Sequence, residues 1–209
     1  RGISLTPVKF GISFNASFLN QAGALVHIYN DGSVYLNHGG TEMGQGLNTK
    51  IAQVVANEFQ LPLDKIKITA TSTGKVPNTS ATAASSGTDL NGMAAKNAAE
   101  KIKFRMAEYL AAEAQIKPDQ VTFENGKVSV GVNEYDFSDA VMRCYMGRIS
   151  LSATGFYSTP KVQWDPKTLK GRPFYYFAYG AACSEVVLDL LTGENRILRT
   201  DILHDVGRS

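Results

Sequence analysis

Asn30-Asp31-Gly32 stands between two apolar, β-branched runs, AGALVHIY and SVYLNH. Asp-Gly supplies the positive φ of a tight turn, so the runs are predicted to pair as an antiparallel hairpin, with strands near 22–29 and 33–38. The signal recurs twice. VTFENGKVSV turns at Asn125-Gly126, and FAYGAACSEVVLDLLTGENRILRTDILHD turns between Leu191 and Asn195. Three local hairpins commit much of the chain to antiparallel pairing.

Helical periodicity fills the gaps between them. From Leu47, apolar residues recur at Ile51, Val54, Val55 and Phe59, and Pro62 ends the run. A longer helix is predicted over about 89–113, with Leu90, Ala94, Ala98, Ile102, Met106 and Leu110 as its buried stripe. A third is predicted over 136–146, with Ala140, Val141 and Cys144 inward. KIKITATS alternates as a strand. Residues 72–88 are small and polar without period, a loop length usually kept for function or disorder, and 160–173 reads as irregular. The fold class expected is α+β, a mixed and mainly antiparallel sheet with packed helices.

Composition narrows the function classes. The 209 residues carry a net charge of +2 and are 44% hydrophobic, which fits one globular domain or two small ones. The near-neutral balance gives no electrostatic reason to expect nucleic acid or an anionic membrane. Cys144 and Cys183 are too few for a disulfide framework and read as buried thiols of a reducing, cytoplasmic setting. No run approaches the roughly 20 apolar residues of a spanning helix, and no export signal is visible. The opening Arg1-Gly2 and the closing HDVGRS read as a piece of something larger.

Two stretches invite a chemical reading. GGTEMGQGLNTK, residues 39–50, places Gly39, Gly40, Gly44 and Gly46 just before a helix. It matches neither the Walker A pattern nor the dinucleotide fingerprint. Its glycines either serve a strand-to-helix turn needing positive φ, or bare main-chain donors and a helix N-terminus for an anionic group. Gln45 is able to donate and accept, and Glu42 to cap the helix or hold a loop. PNTSATAASSG, residues 77–87, also runs into a helix, with Thr88 or Asp89 as its expected cap and Thr82, Ser85 and Ser86 as hydroxyls. It is either a surface loop or a second wall of one anionic site. Phe10 and Phe14 in KFGISF fit a strand feeding a core. His27, His38 and His204 lack metal-ligand spacing, no nucleophile motif is present, and Asn15-Ala16-Ser17 is a chance sequon.

Taken together, KFGISF…LNQAGALVHIYNDGSVYLNHGGTEMGQGLNTK, TSTGKVPNTSATAAS and YGAACSEVVLDLLTGENRILRTDILHDVG closely resemble the molybdenum-cofactor-binding part of the xanthine dehydrogenase and xanthine oxidase family, in its bacterial form. The resemblance runs over 1–209. It implies part of a molybdopterin-binding domain, purine hydroxylation with oxygen from water, and a molybdenum–molybdopterin cofactor. Two [2Fe–2S] clusters and FAD are implied elsewhere in an oligomeric enzyme. Met43, Gly44 and Gln45 then match one cofactor loop, and Thr82, Ala83, Ala84 and Ser85 the other, with Ala84 beside the metal. Phe14 matches a substrate-stacking phenylalanine, and Asn15 stands where animal enzymes have threonine. No residue here ligates the metal directly. The catalytic glutamate is expected beyond Ser209. Oxidation of aldehydes or other N-heterocycles within the same family, or a non-catalytic scaffold role, are the alternative readings.

Overall fold

A computed structural model describes residues 1–76 and 78–207; Pro77 of the second loop, and Arg208 and Ser209, lie outside the described residues. In chain order the strands are β1 (Gly2–Ile12), β2 (Gln21–Ile28), β3 (Val34–His38), β4 (Ile66–Ile68), β5 (Val121–Glu124), β6 (Lys127–Val130), β7 (Asn133–Asp136), β8 (Ser152–Ser158), β9 (Gln163–Asp165), β10 (Lys170–Arg172), β11 (Tyr176–Leu188) and β12 (Asn195–His204). The helices are α1 (Leu47–Phe59), α2 (Gly87–Ala114) and α3 (Phe137–Met146). The fold is α+β. The chain divides into two units: Phe18–Thr159, and one made from Arg1–Ser17 with the stretch from Pro160 onward.

In the unit Phe18–Thr159 a four-stranded sheet runs β4-β3-β2-β8. The predicted hairpin forms in register from Ala24 opposite His38 to Ile28 opposite Val34, turning at Gly32 with φ 79°. Alternation sends Ala22, Ala24, Val26, Ile28, Val34 and Leu36 into the core. Helix α1 carries the chain from β3 across to β4, which therefore pairs parallel to β3, the one departure from antiparallel order in this sheet. Only Ile66–Ile68 of the alternating KIKITATS run is strand.

Helix α2 begins at Gly87, two residues earlier than periodicity suggests, and Ser86 stands at its cap without a side-chain capping bond, in place of Thr88 or Asp89. All six residues of the predicted stripe are buried, and Asn91, Ala95, Ala99 and Ala111 widen it. Alanines let the helix lie close on β8. A Cβ built on Gly155 would overlap the Ala94 carbonyl and come within 2.7 Å of the Ala98 nitrogen. The free edge of β8 is covered from the same helix. Asn97 Nδ2, Lys101 Nζ and Arg105 Nη1, spaced four apart, donate to the carbonyls of Phe156, Thr154 and Ser152, spaced two apart, at 2.8, 2.9 and 2.9 Å. Those acceptors would otherwise offer a template to another strand.

The chain leaves α2 through Gln115 at φ 56°, whose N–H reaches the carbonyls of Ala111 and Ala112. A left-handed C-terminal residue with a Cβ is strained. Gln115→Gly is therefore expected to stabilise the fold by about 0.5–1 kcal/mol, read as a higher urea midpoint at constant m-value.

Beyond α2, β5-β6-β7 form a three-stranded meander covered by α3. Asn125 and Gly126 turn its first hairpin at φ 52° and 79°. Phe59, Phe123 and Phe137 meet edge-on or tilted at 5.8 and 6.5 Å. Cys144 is sealed in the same core, and burial pushes its thiol up to about 12.

The terminal unit holds a sheet ordered β1-β11-β12, with Gly2 opposite Val186 at one end and Ile12 opposite Tyr176 at the other. A bulge lies between Glu185 and Val186. The stretch read as irregular contains the short β9–β10 ribbon. Two expectations fail in this unit. Phe10 does not feed a core; it remains 45% exposed on β1. Cys183, on β11, is half-buried rather than buried.

The three histidines are strand residues, as expected. His27 stacks on Tyr35 at 5.5 Å, and His38 and His204 close β3 and β12. Among the described residues, no cluster of His, Cys, Asp and Glu is able to hold a metal ion, and no helix is long and apolar enough to cross a membrane.

Candidate functional site

The glycine stretch folds for two different reasons. Gly39 and Gly40 make room: a Cβ on Gly39 would overlap the Thr79 side chain, and one on Gly40 would meet Leu47 Cδ2 at 2.7 Å and Asn91 Nδ2 at 2.9 Å. Gly44 and Gly46 instead supply φ of 96° and 76°, and a Cβ on Gly44 would meet nothing within 4 Å. The loop therefore needs its bends, and at Gly44 it also leaves open space.

The loop is braced from inside. Glu42 Oε1 accepts the N–H groups of Gly44 and Gly46 at 2.9 and 3.1 Å, and its Oε2 accepts that of Asn48 at 2.9 Å. Asn48 foremost, then Gly44 and Gly46, hold the Glu42 carboxyl below the usual carboxylate range. Gln45 Oε1 accepts from Met43 N–H at 2.6 Å, while its Nε2 donates to the Thr41 carbonyl at 3.0 Å. Upstream, the Gly40 N–H donates to His38 Nδ1 at 3.1 Å, a bond that requires a neutral ring; burial lowers the affinity of His38 for a second proton. Of the two readings of the glycines, bare donors does not hold for Gly44, Gly46 and Asn48: their N–H groups already face a carboxylate, that of Glu42, one of the roles its position suggested.

The second loop is joined to the first. Thr82 Oγ1 accepts from the Thr41 N–H at 2.8 Å. Ala84 and Ser85 both take the left-handed conformation at φ 55°, a strained pair for residues with side chains. Ser86 Oγ donates to the Ala83 carbonyl at 3.0 Å, which turns the chain into α2.

Between the two loops lies a cavity of about 380 Å³. Met43, Gln45, Thr82, Ala83 and Ser85 line it, together with Leu47, Lys50, Gly87 and Thr88. Of the residues singled out from sequence, Gly44 belongs to the first loop and Ala84 to the second, next to these walls. Phe14 and Asn15 belong to the other unit, just beyond β1, with Phe14 half-buried and Asn15 exposed. Sequence reasoning missed Lys50, the one charged side chain on the cavity wall among the described residues. Its Nζ donates to the Gln45 carbonyl at 3.0 Å. The signal was present, since Lys50 lies one helical turn past Gly46, but it counted only against a phosphate-loop motif.

A concave volume in the range of small-ligand sites, lined among the described residues by small and polar side chains and one lysine, suits a small organic ligand carrying negative charge. The chain belongs to the molybdopterin cofactor-binding domain family, whose model matches residues 1–209. Over 209 residues, all of this chain, it is 51% identical to xanthine dehydrogenase/oxidase of Gallus gallus and 49% identical to xanthine dehydrogenase of Oryza sativa subsp. japonica. It spans 14% of the length of each of these relatives. Quinoline 2-oxidoreductase of Pseudomonas putida 86 shares the fold, with TM-score 0.83 at 21% identity over 99% of this chain and 27% of that one.

Proposed function

We propose that residues 1–209 are part of the molybdopterin-binding domain of a molybdenum hydroxylase that oxidises hypoxanthine and xanthine. The observation that carries this reading is identity near one half across the whole chain with enzymes named for xanthine. Met43, Gly44, Gln45, Thr82, Ala83, Ala84 and Ser85 hold the cofactor, with Lys50 on the same cavity wall. When bound, the cofactor supplies the redox-active metal, carried by the pterin dithiolene rather than by protein ligands.

This chain's own residues bind and orient. The two loops present small side chains, so a flat ring system approaches the main chain closely. Lys50 supplies positive charge opposite an anionic tail. Phe14 gives the purine a face on which to stack, and Asn15 a polar contact beside it. The proton acceptor for the reaction comes from outside these residues. The remainder of the molybdenum subunit, and domains or subunits carrying FAD and two [2Fe–2S] clusters, are the partners in an oligomeric, cytoplasmic enzyme. Free thiols at Cys144 and Cys183 suit that compartment.

The test is made on the full-length parent protein. Molybdenum and pterin are measured per subunit, and turnover is compared with xanthine and with an aldehyde. Bound molybdopterin and preferred oxidation of xanthine are expected. A parent without pterin removes the reading, and a clear preference for the aldehyde removes its substrate assignment.

A further inference from the structure

We propose that Glu42 is a positioning residue for the cofactor loop, holding Met43-Gly44-Gln45 in its receiving shape before any cofactor arrives. This rests on the cofactor-binding role proposed above. The carboxylate acts as a built-in anion. It takes the N–H groups of Gly44, Gly46 and Asn48, two on the loop and one in the first turn of α1. A negative group at this end of a helix is favoured by the peptide dipoles. An anionic tail reaching the N–H groups of Gly44, Gly46 and Asn48 would therefore have to displace Glu42. A cation on the cavity wall is Lys50, whose ammonium lies within ion-pair distance of no carboxylate among the described residues and donates to the Gln45 carbonyl.

The Gln45 amide completes the brace, bonded at both ends within the loop. Glycine at 44 and 46 would leave an unbraced loop with many conformations to lose on binding. Glu42 removes that cost in advance, which is the physical content of preorganisation.

The experiment uses the full-length holoenzyme with Glu42→Gln. Glutamine keeps the shape but turns an amide N–H₂ toward one of the three donors and removes the charge. Release of the cofactor, followed as fluorescent oxidised pterin, is expected to accelerate roughly three- to tenfold, the scale of one charge-assisted bond and a helix-end charge. KM for xanthine, measured on the loaded fraction, is expected to stay within about twofold, because Glu42 touches no substrate-facing group. Release at the wild-type rate overturns the proposal. So does a KM that rises in step with release, which marks general loosening. Hydrogen exchange in the wild-type apo-subunit gives a check independent of any variant. Protection of the Gly44, Gly46 and Asn48 amides before cofactor is added is expected, and free exchange there overturns the proposal. A wild-type parent holding no pterin overturns the cofactor reading itself, a result distinct from all of these.

Discussion

Gly155→Val is expected to destabilise the Phe18–Thr159 unit more than any surface substitution in it. Position 155 lies on the core face of β8, directly beneath α2, and any Cβ there enters the Ala94 carbonyl and presses on the Ala98 nitrogen. Both obstacles are backbone, so no rotamer change relieves the clash. Helix α2 would have to lift along Ala94–Ala99, breaking its close contact with β8 and the Asn97, Lys101 and Arg105 bonds to the β8 edge. A loss of about 3 kcal/mol or more is expected, at the top of the range for overpacked cores. For a chain of this size that lowers the melting midpoint by roughly 6–12 °C. Gly155→Ala carries the same Cβ and is expected to act in the same direction. Thr154→Ala, one residue away on the exposed face, is expected to stay within about 0.5 kcal/mol. Unchanged calorimetric midpoints in both glycine variants would mean that the helix does not lie this close.

Gly155 also shows where sequence stops being informative. In SLSATGFYS a glycine reads as a weak point of a strand; that a helix backbone sits on it depends on residues about sixty positions away. Local signals fared better. Asn30-Asp31-Gly32 and Asn125-Gly126 contain their own instruction, so both hairpins are legible, as are the stripes of α1, α2 and α3. KIKITATS shrinks to a three-residue strand because alternation cannot register how far a parallel neighbour extends. Phe10 stays exposed on β1, because an aromatic strand pattern does not say whether anything covers it. At the site, small-residue content marked both loops, yet it could not separate Gly39 and Gly40, which make room, from Gly44 and Gly46, which bend. Nor could it tell that the donors before α1 face Glu42. Hydrogen-bond accounting between residues two, four and six apart needs coordinates.

The largest functional effect is expected from Ala83→Trp in the full-length parent. Ala83 lines the cavity, is exposed, and is not among the residues at positive φ, so it accepts a large side chain without backbone strain. Ala84 and Ser85 make poorer tests: at φ 55° a bulky residue there would disturb the loop whether or not a ligand binds. An indole at 83 takes a large share of about 380 Å³. Molybdenum and pterin content per subunit is therefore expected to fall below about a tenth of wild type, equivalent to at least about 1.4 kcal/mol of lost affinity. Phe14→Ala, in the other unit, should show the opposite pattern. Cofactor content is expected to hold while KM for xanthine rises roughly five- to tenfold, the scale of one lost aromatic stack. The two variants separate two roles that identity to relatives cannot separate by itself. If Ala83→Trp keeps its molybdenum, the cavity between the loops is not where the cofactor sits, however the rest of the chain resembles its relatives. If Phe14→Ala loses molybdenum instead of affinity for purine, that phenylalanine supports the cofactor and is no wall for the substrate.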